Sequence, residues 1–433
     1  MTAVQPGGLS RRGLLAASGA GAAAAGGLSA AMMLTPGHAG ATPEQAADSP
    51  AERRYDFRGE HQAGITTPAQ DRMHFAAFDM DPRASREDLV ALLQDWTSAA
   101  ERMTDGRGAG SLGPLSGPYD APPDDTGEAI DLPPAGLTIT FGFGSSLFGG
   151  EGSGKDRFGL AARRPAALER LPHFPGDNLR QQLSDGDLCI QACSDDPQVA
   201  VHAVRNLTRI AMGRAHLRWS QLGFGRTSST SDAQSTPRNL FGFKDGTMGL
   251  RGEETDAIDE HVWVSSGADP RAEWMTGGSY LVARKIAMRI EPWDRSSLRE
   301  QERVVGRTKA EGAPLSGGTE FSQPDFAVKG RGGQPMLALG SHVGIAHPSH
   351  NDGVRLLRRG YNYVDGNDEM GRLAAGLFFI AFVTDPRTHY IPMQTKMSRD
   401  DLMQEYVQHV GSGLFAVPPG AQGDRYVGQG LFA

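Results

Sequence analysis

The order of the apolar segments constrains this chain most. Runs that read as strands alternate with amphipathic helices, and several strands follow one another through loops alone. A parallel doubly wound sheet needs a crossover between strands, so this order points to an antiparallel α+β fold. Two β-α-β halves can be read. The first, residues 56–215, opens on the strand-like HQAGITTP and MHFAAFDM. The helical REDLVALLQDWTSAAERM follows, with Leu89, Leu92, Leu93 and Trp96 at i, i+3, i+4 and i+7. A Gly/Pro-rich loop (104–136) leads to the strands LTITFGFG and DLCIQAC. The helix PQVAVHAVRNLTRIA closes this half, with acids and a proline at its N-terminus, in Asp195-Asp196-Pro197. The second half, residues 216–433, opens on LRWSQLGFG and continues through the alternating GSYLVARKIAMRIEPWD and the helical SSLREQERVVG. It ends with the strand AGLFFIAFV and a final helix, DLMQEYVQHV. Two ferredoxin-like domains with antiparallel sheets would account for the pattern.

The 433 residues suffice for two or three domains and a sizeable core. The net charge of −8 carries no basic stripe of the kind nucleic acid requires. At the N-terminus, Ser10-Arg11-Arg12-Gly13-Leu14-Leu15 precedes an Ala/Gly-rich run to about Leu34, and Ala39-Gly40-Ala41 resembles a cleavage site. Residues 1–41 read as a twin-arginine signal peptide, followed by a disordered linker over 42–55. The run is too rich in Ala and Gly to make a good membrane span, so none is expected in the mature chain. Export places the protein outside the cytoplasm: secreted, at the cell surface or in the periplasm. The twin-arginine route carries folded proteins, often with a cofactor already in place. Cys189 and Cys193 fall on one strand-like run. Four strand residues span roughly 13 Å, beyond the ~7 Å that a disulfide allows, so two buried thiols are expected.

Chemistry concentrates in two stretches. Gly242-Phe243-Lys244-Asp245-Gly246 is a loop with an ionisable carboxylate among flexible glycines; as a bare pattern it also describes an ordinary turn. About 100 residues later, SHVGIAHPSHNDGVRLLRRGYNY holds His342, His347, His350, Arg358 and Arg359. A carboxylate that moves a proton between peroxide oxygens, a histidine that ligates haem iron and an arginine that steadies negative charge are the parts of a haem peroxidase. Each has a plainer reading: a surface His, a three-His metal site, a solvated Arg pair or a propionate contact. Tyr361, Tyr363, Trp274, Trp293, Tyr390 and Tyr406 could carry oxidising equivalents but read first as packing residues. Leu377, Phe378 and Phe379 read as strand core.

With these residues in view the chain resembles the dye-decolourising peroxidases, and within them the exported deferrochelatase/peroxidase subgroup of iron-uptake systems. The resemblance covers residues 56–433 and rests on HQAGITTPAQ, LTITFGFGSSLF, DLCIQACSDDPQVAVHAVRNL, RNLFGFKDGT, GGSYLVARKIAMRIEPWDRSSLREQE, LRRGYNY and GLFFIAFVTDPR. It implies two ferredoxin-like domains, with one haem b per chain held mainly by the C-terminal domain. Asp245 matches the distal acid, Arg358 the distal arginine and His342 the iron ligand. Gly246, Thr247 and Met248 match a haem-lining segment, as do His347, Pro348 and Ser349. Leu377 and Phe379 match the apolar distal lining. The implied substrates are hydrogen peroxide and a small donor such as a dye or phenol. Iron release from haem and a non-catalytic haem carrier are the alternatives. The resemblance also allows a homo-oligomer and iron-uptake partners. The chain departs from the family pattern at Gly344, where an arginine is usual, and at His347-Pro348-Ser349, where Asn-Pro-Arg is usual.

Overall fold

The structure is a computed structural model and describes residues 50–149 and 156–433. The expected signal peptide and linker residues 42–49 lie outside the described residues. The end of the expected linker is tied down: Ala51 and Arg53 accept backbone hydrogen bonds from Ala135 and Gly136, both at 2.8 Å.

The first half builds β1 (Arg72–Met80), α1 (Arg86–Thr104), β2 (Thr138–Gly144), β3 (Leu188–Ser194), α2 (Pro197–Ala211) and β4 (Ala215–Arg226). Ser85 caps α1 in a reciprocal box with Asp88, and Leu89, Leu92, Leu93 and Trp96 form its buried stripe. Asp196 accepts from Gln198 N and Val199 N at the start of α2, with Pro197 in the first turn. The strands pair in the order β2-β3-β1-β4, all antiparallel.

The second half builds α3 (Thr255–His261), β5 (Ser279–Met288), α4 (Ile290–Arg295), α5 (Leu298–Val305) and α6 (His342–Ala346). It continues with β6 (Leu357–Arg358), β7 (Tyr361–Asn367), β8 (Leu373–Val383), α7 (Tyr390–Asp400) and β9 (Val407–Val417). Its main strands take the order β9-β5-β8-β7, again antiparallel, and the short β6 pairs with β8 beside β7.

The halves do not keep separate sheets, as the sequence had suggested. Two short seams join them. Phe143 and Gly144 of β2 pair with Ala416 and Phe415 of β9, and Phe224 and Arg226 of β4 pair with Asn362 and Tyr361 of β7. With the β5–β8 pairing, eight strands close into a ring. The cause is side-chain alternation. Met73, Phe75 and Ala77 of β1 point into the ring, where they meet Phe378, Ile380 and Phe382 of β8 and Phe415 of β9. Ala76 and Phe78 point outward into the cluster that α1 and α2 cover. Each sheet thus has two apolar faces, and the inner ones can leave water only against each other. Cys189 and Cys193 sit in that interior as buried free thiols, as expected.

Three further expectations change. HQAGITTP is a loop, not a strand. Its Gln62 carboxamide does the work of a strand edge, accepting from Phe141 N at 2.8 Å and donating to Phe141 O at 3.0 Å. β4 begins at Ala215 and pairs with β1, so it completes the first half rather than opening the second. The final helix read in DLMQEYVQHV is a 3-10 turn over Leu402–Glu405 followed by β9. The true last helix is α7, and pairing with β5 overrides the helical spacing of the apolar residues.

Candidate active site

A cavity of about 230 Å³ opens on the outer face of the second half's strands. Strand alternation sorts β8 between two environments: Phe378 and Ile380 fill the ring, while Leu377 and Phe379 line the cavity. Ile286 and Met288 of β5 and Val407 and His409 of β9 extend the same floor. The walls come from α6, α7 and the Asp245 loop.

The Asp245 loop is braced from behind. Trp293 donates from Nε1 to Phe241 O at 3.1 Å and packs on the rings of Phe241, Phe243 and Tyr406. Arg238 donates to Gly242 O at 2.8 Å and Lys309 O at 2.7 Å. Gly246 has φ +89°, and a Cβ there would lie 2.7 Å from Ser228 Cα. Only glycine fits there, because a side chain would collide with the Ser228 backbone. Thr247 and Met248 follow it along the cavity wall, with Thr247 Oγ1 3.3 Å from Glu320 Oε1.

Asp245 is fixed through both oxygens. Asn239 Nδ2 donates to Oδ2 at 3.0 Å, and Arg358 Nη1 donates to Oδ1 at 3.0 Å. Each carboxylate oxygen keeps lone-pair capacity for a further partner. The neighbouring Arg359 has no part in this: it is fully buried and donates to Thr67 O at 2.5 Å and to Gln70. Of the tandem, Arg358 is on the cavity and Arg359 is structural.

His342 stands at the first position of α6. Ser341 caps that helix, accepting from Gly344 N at 3.3 Å. His342 Nδ1 donates to Asp401 Oδ2 at 2.7 Å, which leaves Nε2 for a ligand. About a third of the His342 side chain is exposed, against 1% for Asp401. Burial alone would make the imidazole harder to protonate; Asp401, with a contribution from Asp245, raises the pKa above the ordinary value. The charges of Asp245 and Arg358 also act on His342, so acid, arginine and histidine form one electrostatic unit.

His347 and Pro348 line the cavity, but Ser349 is exposed and does not. His350 is exposed as well, with Nδ1 2.7 Å from Gly344 O. Among the described residues no group of three His, Cys, Asp or Glu is placed to hold a metal ion, so the three histidines do not form a cluster. Two site residues had no mark in the sequence. Asn239 precedes Asp245 by six positions in what reads as a turn, and Asp401 lies 59 residues beyond His342. Only the capping role of Asp401, ahead of Leu402–Glu405, was open to sequence reasoning.

The whole chain identifies the family. Residues 62–225 match the Dyp-type peroxidase N-terminal family and residues 236–422 its C-terminal counterpart. The chain belongs to the Dyp-type peroxidases and is a haem-dependent peroxidase. It is 34% identical over 442 residues to a dye-decolorizing peroxidase of Thermobifida fusca, covering 98% of this chain and 97% of that one. It is 35% identical to the deferrochelatase of Escherichia coli strain K12, with 87% and 86% covered. The solved structure of ferric DtpA from Streptomyces lividans superposes with a TM-score of 0.80 at 40% identity, covering 91% of this chain and 100% of that one.

Proposed function

We propose that the chain binds one haem b, reduces hydrogen peroxide and oxidises small donors such as dyes and phenols. Asp245 carries the proton, Arg358 is its charged partner and His342 is the iron ligand. The observation that carries this reading is the 3.0 Å Asp245–Arg358 pair in the cavity that His342 also lines. The residues suit the cofactor. Leu377, Phe379 and Ile286 offer an apolar surface to a flat ring, and His342 has one nitrogen tied and one free. Buried polar atoms without partners, on His347 and Arg307, border the same space.

When bound, haem supplies the iron at which peroxide is reduced and donors are oxidised. Asp245 takes the proton from one peroxide oxygen and returns it to the oxygen that leaves as water. Arg358 donates toward the charge that develops as the O–O bond breaks. Asn239 keeps the second carboxylate oxygen in place, and the first, which accepts from Arg358, keeps lone-pair capacity for the proton. Asp401 fixes the His342 ring and raises its basicity. Gly246, Thr247, Met248, His347 and Pro348 complete the contacts to the ring.

Both strand orders, β2-β3-β1-β4 and β9-β5-β8-β7, support reading each half as a ferredoxin-like unit. Every cavity-lining residue lies between 239 and 409, which supports haem held mainly by the second unit. Export by the twin-arginine route, to a secreted, cell-surface or periplasmic place, belongs to the same reading and rests on Arg11-Arg12 and Ala39-Gly40-Ala41. The similarity to a deferrochelatase supports a second activity, removal of iron from haem, and with it iron-uptake partners. A carrier without turnover would leave the Asp245–Arg358 pair without a task.

Stopped-flow mixing of the holoenzyme with peroxide tests the assignment. Asp245→Ala slows the reaction about 10²–10⁴-fold and Arg358→Ala about 10²–10³-fold. Wild-type rates in both variants would remove the two residues from the mechanism. The same mixtures, analysed for iron-free porphyrin, distinguish donor oxidation from iron release.

A further inference from the structure

Four basic side chains of Lys and Arg line the cavity: Lys244, Arg307, Arg355 and Arg358. Three have counter-ions. Lys244 pairs with Glu320, Arg355 with Glu254 at 2.6 Å and Arg358 with Asp245 at 3.0 Å. Arg307 has none. It is 3% exposed, and its Nη1 donates to the carbonyls of Gly312 at 2.6 Å and Glu320 at 2.7 Å. Its Nη2 is buried without a hydrogen-bond partner, and no carboxylate oxygen lies within ion-pair distance among the described residues. A guanidinium buried without an anion is costly, and the cost disappears when an anion arrives.

His347 lies close enough to feel the Arg307 charge. The backbone N–H of Ser349 donates to its Nδ1 at 3.2 Å, and the Ser349 hydroxyl lies 2.8 Å from the same atom. Nδ1 is therefore the acceptor, and Nε2 carries the proton. That Nε2 is also buried without a partner. Two unmet donors, one of them on a permanent cation, border one cavity and call for one ligand group: a carboxylate, which accepts from two donors at once.

We propose that Arg307 and His347 form the seat for a propionate of the bound haem. The inference rests on the haem reading above. It also accounts for the departures from the family pattern. Gly344 has no side chain, and a Cβ there would already lie 2.9 Å from Ser341 Oγ. Ser349 is exposed and is not part of the cavity lining. Among the described residues Arg307 is then the one Lys or Arg of the cavity without a carboxylate partner, so one propionate, not both, is held by an ion pair.

The test follows haem loss from the full-length holoenzyme to excess apomyoglobin, monitored by absorbance. Arg307→Met speeds loss about tenfold to a hundredfold, as expected for one charged hydrogen-bonding partner. His347→Phe speeds it less, and His347→Gln retains the donor and most of the affinity. The wild-type chain reconstituted with the dimethyl ester of haem needs no substitution and so is independent of any variant's folding. It should lose the ester about as fast as Arg307→Met loses haem, and Arg307→Met should not speed loss of the ester further. Equal retention of haem and its ester by the wild-type chain would overturn the seat and leave the haem reading intact. Failure of the wild-type chain to hold haem at all would overturn the haem reading itself.

Discussion

Asp401 shows how far a single residue acts through another. Its carboxylate, 1% exposed, accepts a hydrogen bond from His342 Nδ1 at 2.7 Å and so leaves Nε2 as the free nitrogen. Partners of this kind typically govern metal affinity or activity by about 10–100-fold. Asp401→Asn keeps the size but loses the charge. It should slow the peroxide reaction and shift the pH profile of iron ligation, while Asp401→Glu restores part of both. An unchanged pH profile in Asp401→Asn would mean that the residue merely packs. At this scale the sequence was informative where chemistry and local pattern coincide. Asp245 is framed by two glycines, His342 opens a stretch with three histidines, and Arg358 begins the pair ahead of Gly360. Asn239 and Asp401 were illegible because their partners come from folding. The residues alone left Arg358 and Arg359 equivalent; the family resemblance chose Arg358, and the structure puts Arg358 on Asp245 and buries Arg359.

At the scale of elements, the Asp245 loop is held by shape as much as by hydrogen bonds. Gly246→Ala must adopt φ +89° and place Cβ 2.7 Å from a backbone atom of Ser228. The strained backbone alone costs about 1–3 kcal/mol, and the collision adds to it. Gly332 has a similar φ of +82° with nothing within 4 Å, so Gly332→Ala bears the strain without the collision. Urea denaturation of both variants should show the larger loss at Gly246, together with a slower peroxide reaction. Equal losses would mean that the loop simply moves away. Helices α1 and α2 were legible from their caps and stripes, since both signals are local. The Asp401–Val417 segment was not. Leu402, Met403, Tyr406, Val407 and Val410 follow helical spacing, yet ten residues of β5 pair with β9 and prevail.

At the scale of the molecule, two histidines, His74 partly buried and His409 buried, contribute to how the fold meets acid. Burial lowers His74 to about 4 and His409 to about 3. Above pH 6.5 both are neutral in either state and contribute no pH dependence. Below it the unfolded chain takes up protons that the folded chain refuses, so stability falls with pH until the folded values are reached. Each costs about 1.4 kcal/mol per pH unit across that window. Denaturation at pH 7 and pH 5 should show the loss, and His74→Gln should make it shallower. An unchanged slope in that variant would place the acid sensitivity elsewhere.

The closed ring has one more consequence. Sheets ordinarily offer their outermost strand as a template on which another chain can lay a strand of its own. Here part of that row is taken up at the two seams, by two residues of each strand, and at Phe141 of β2 by the Gln62 carboxamide. Strand addition by a partner, or end-to-end growth into fibrils, finds no template along those seams. Whatever docks there must recognise helices and loops.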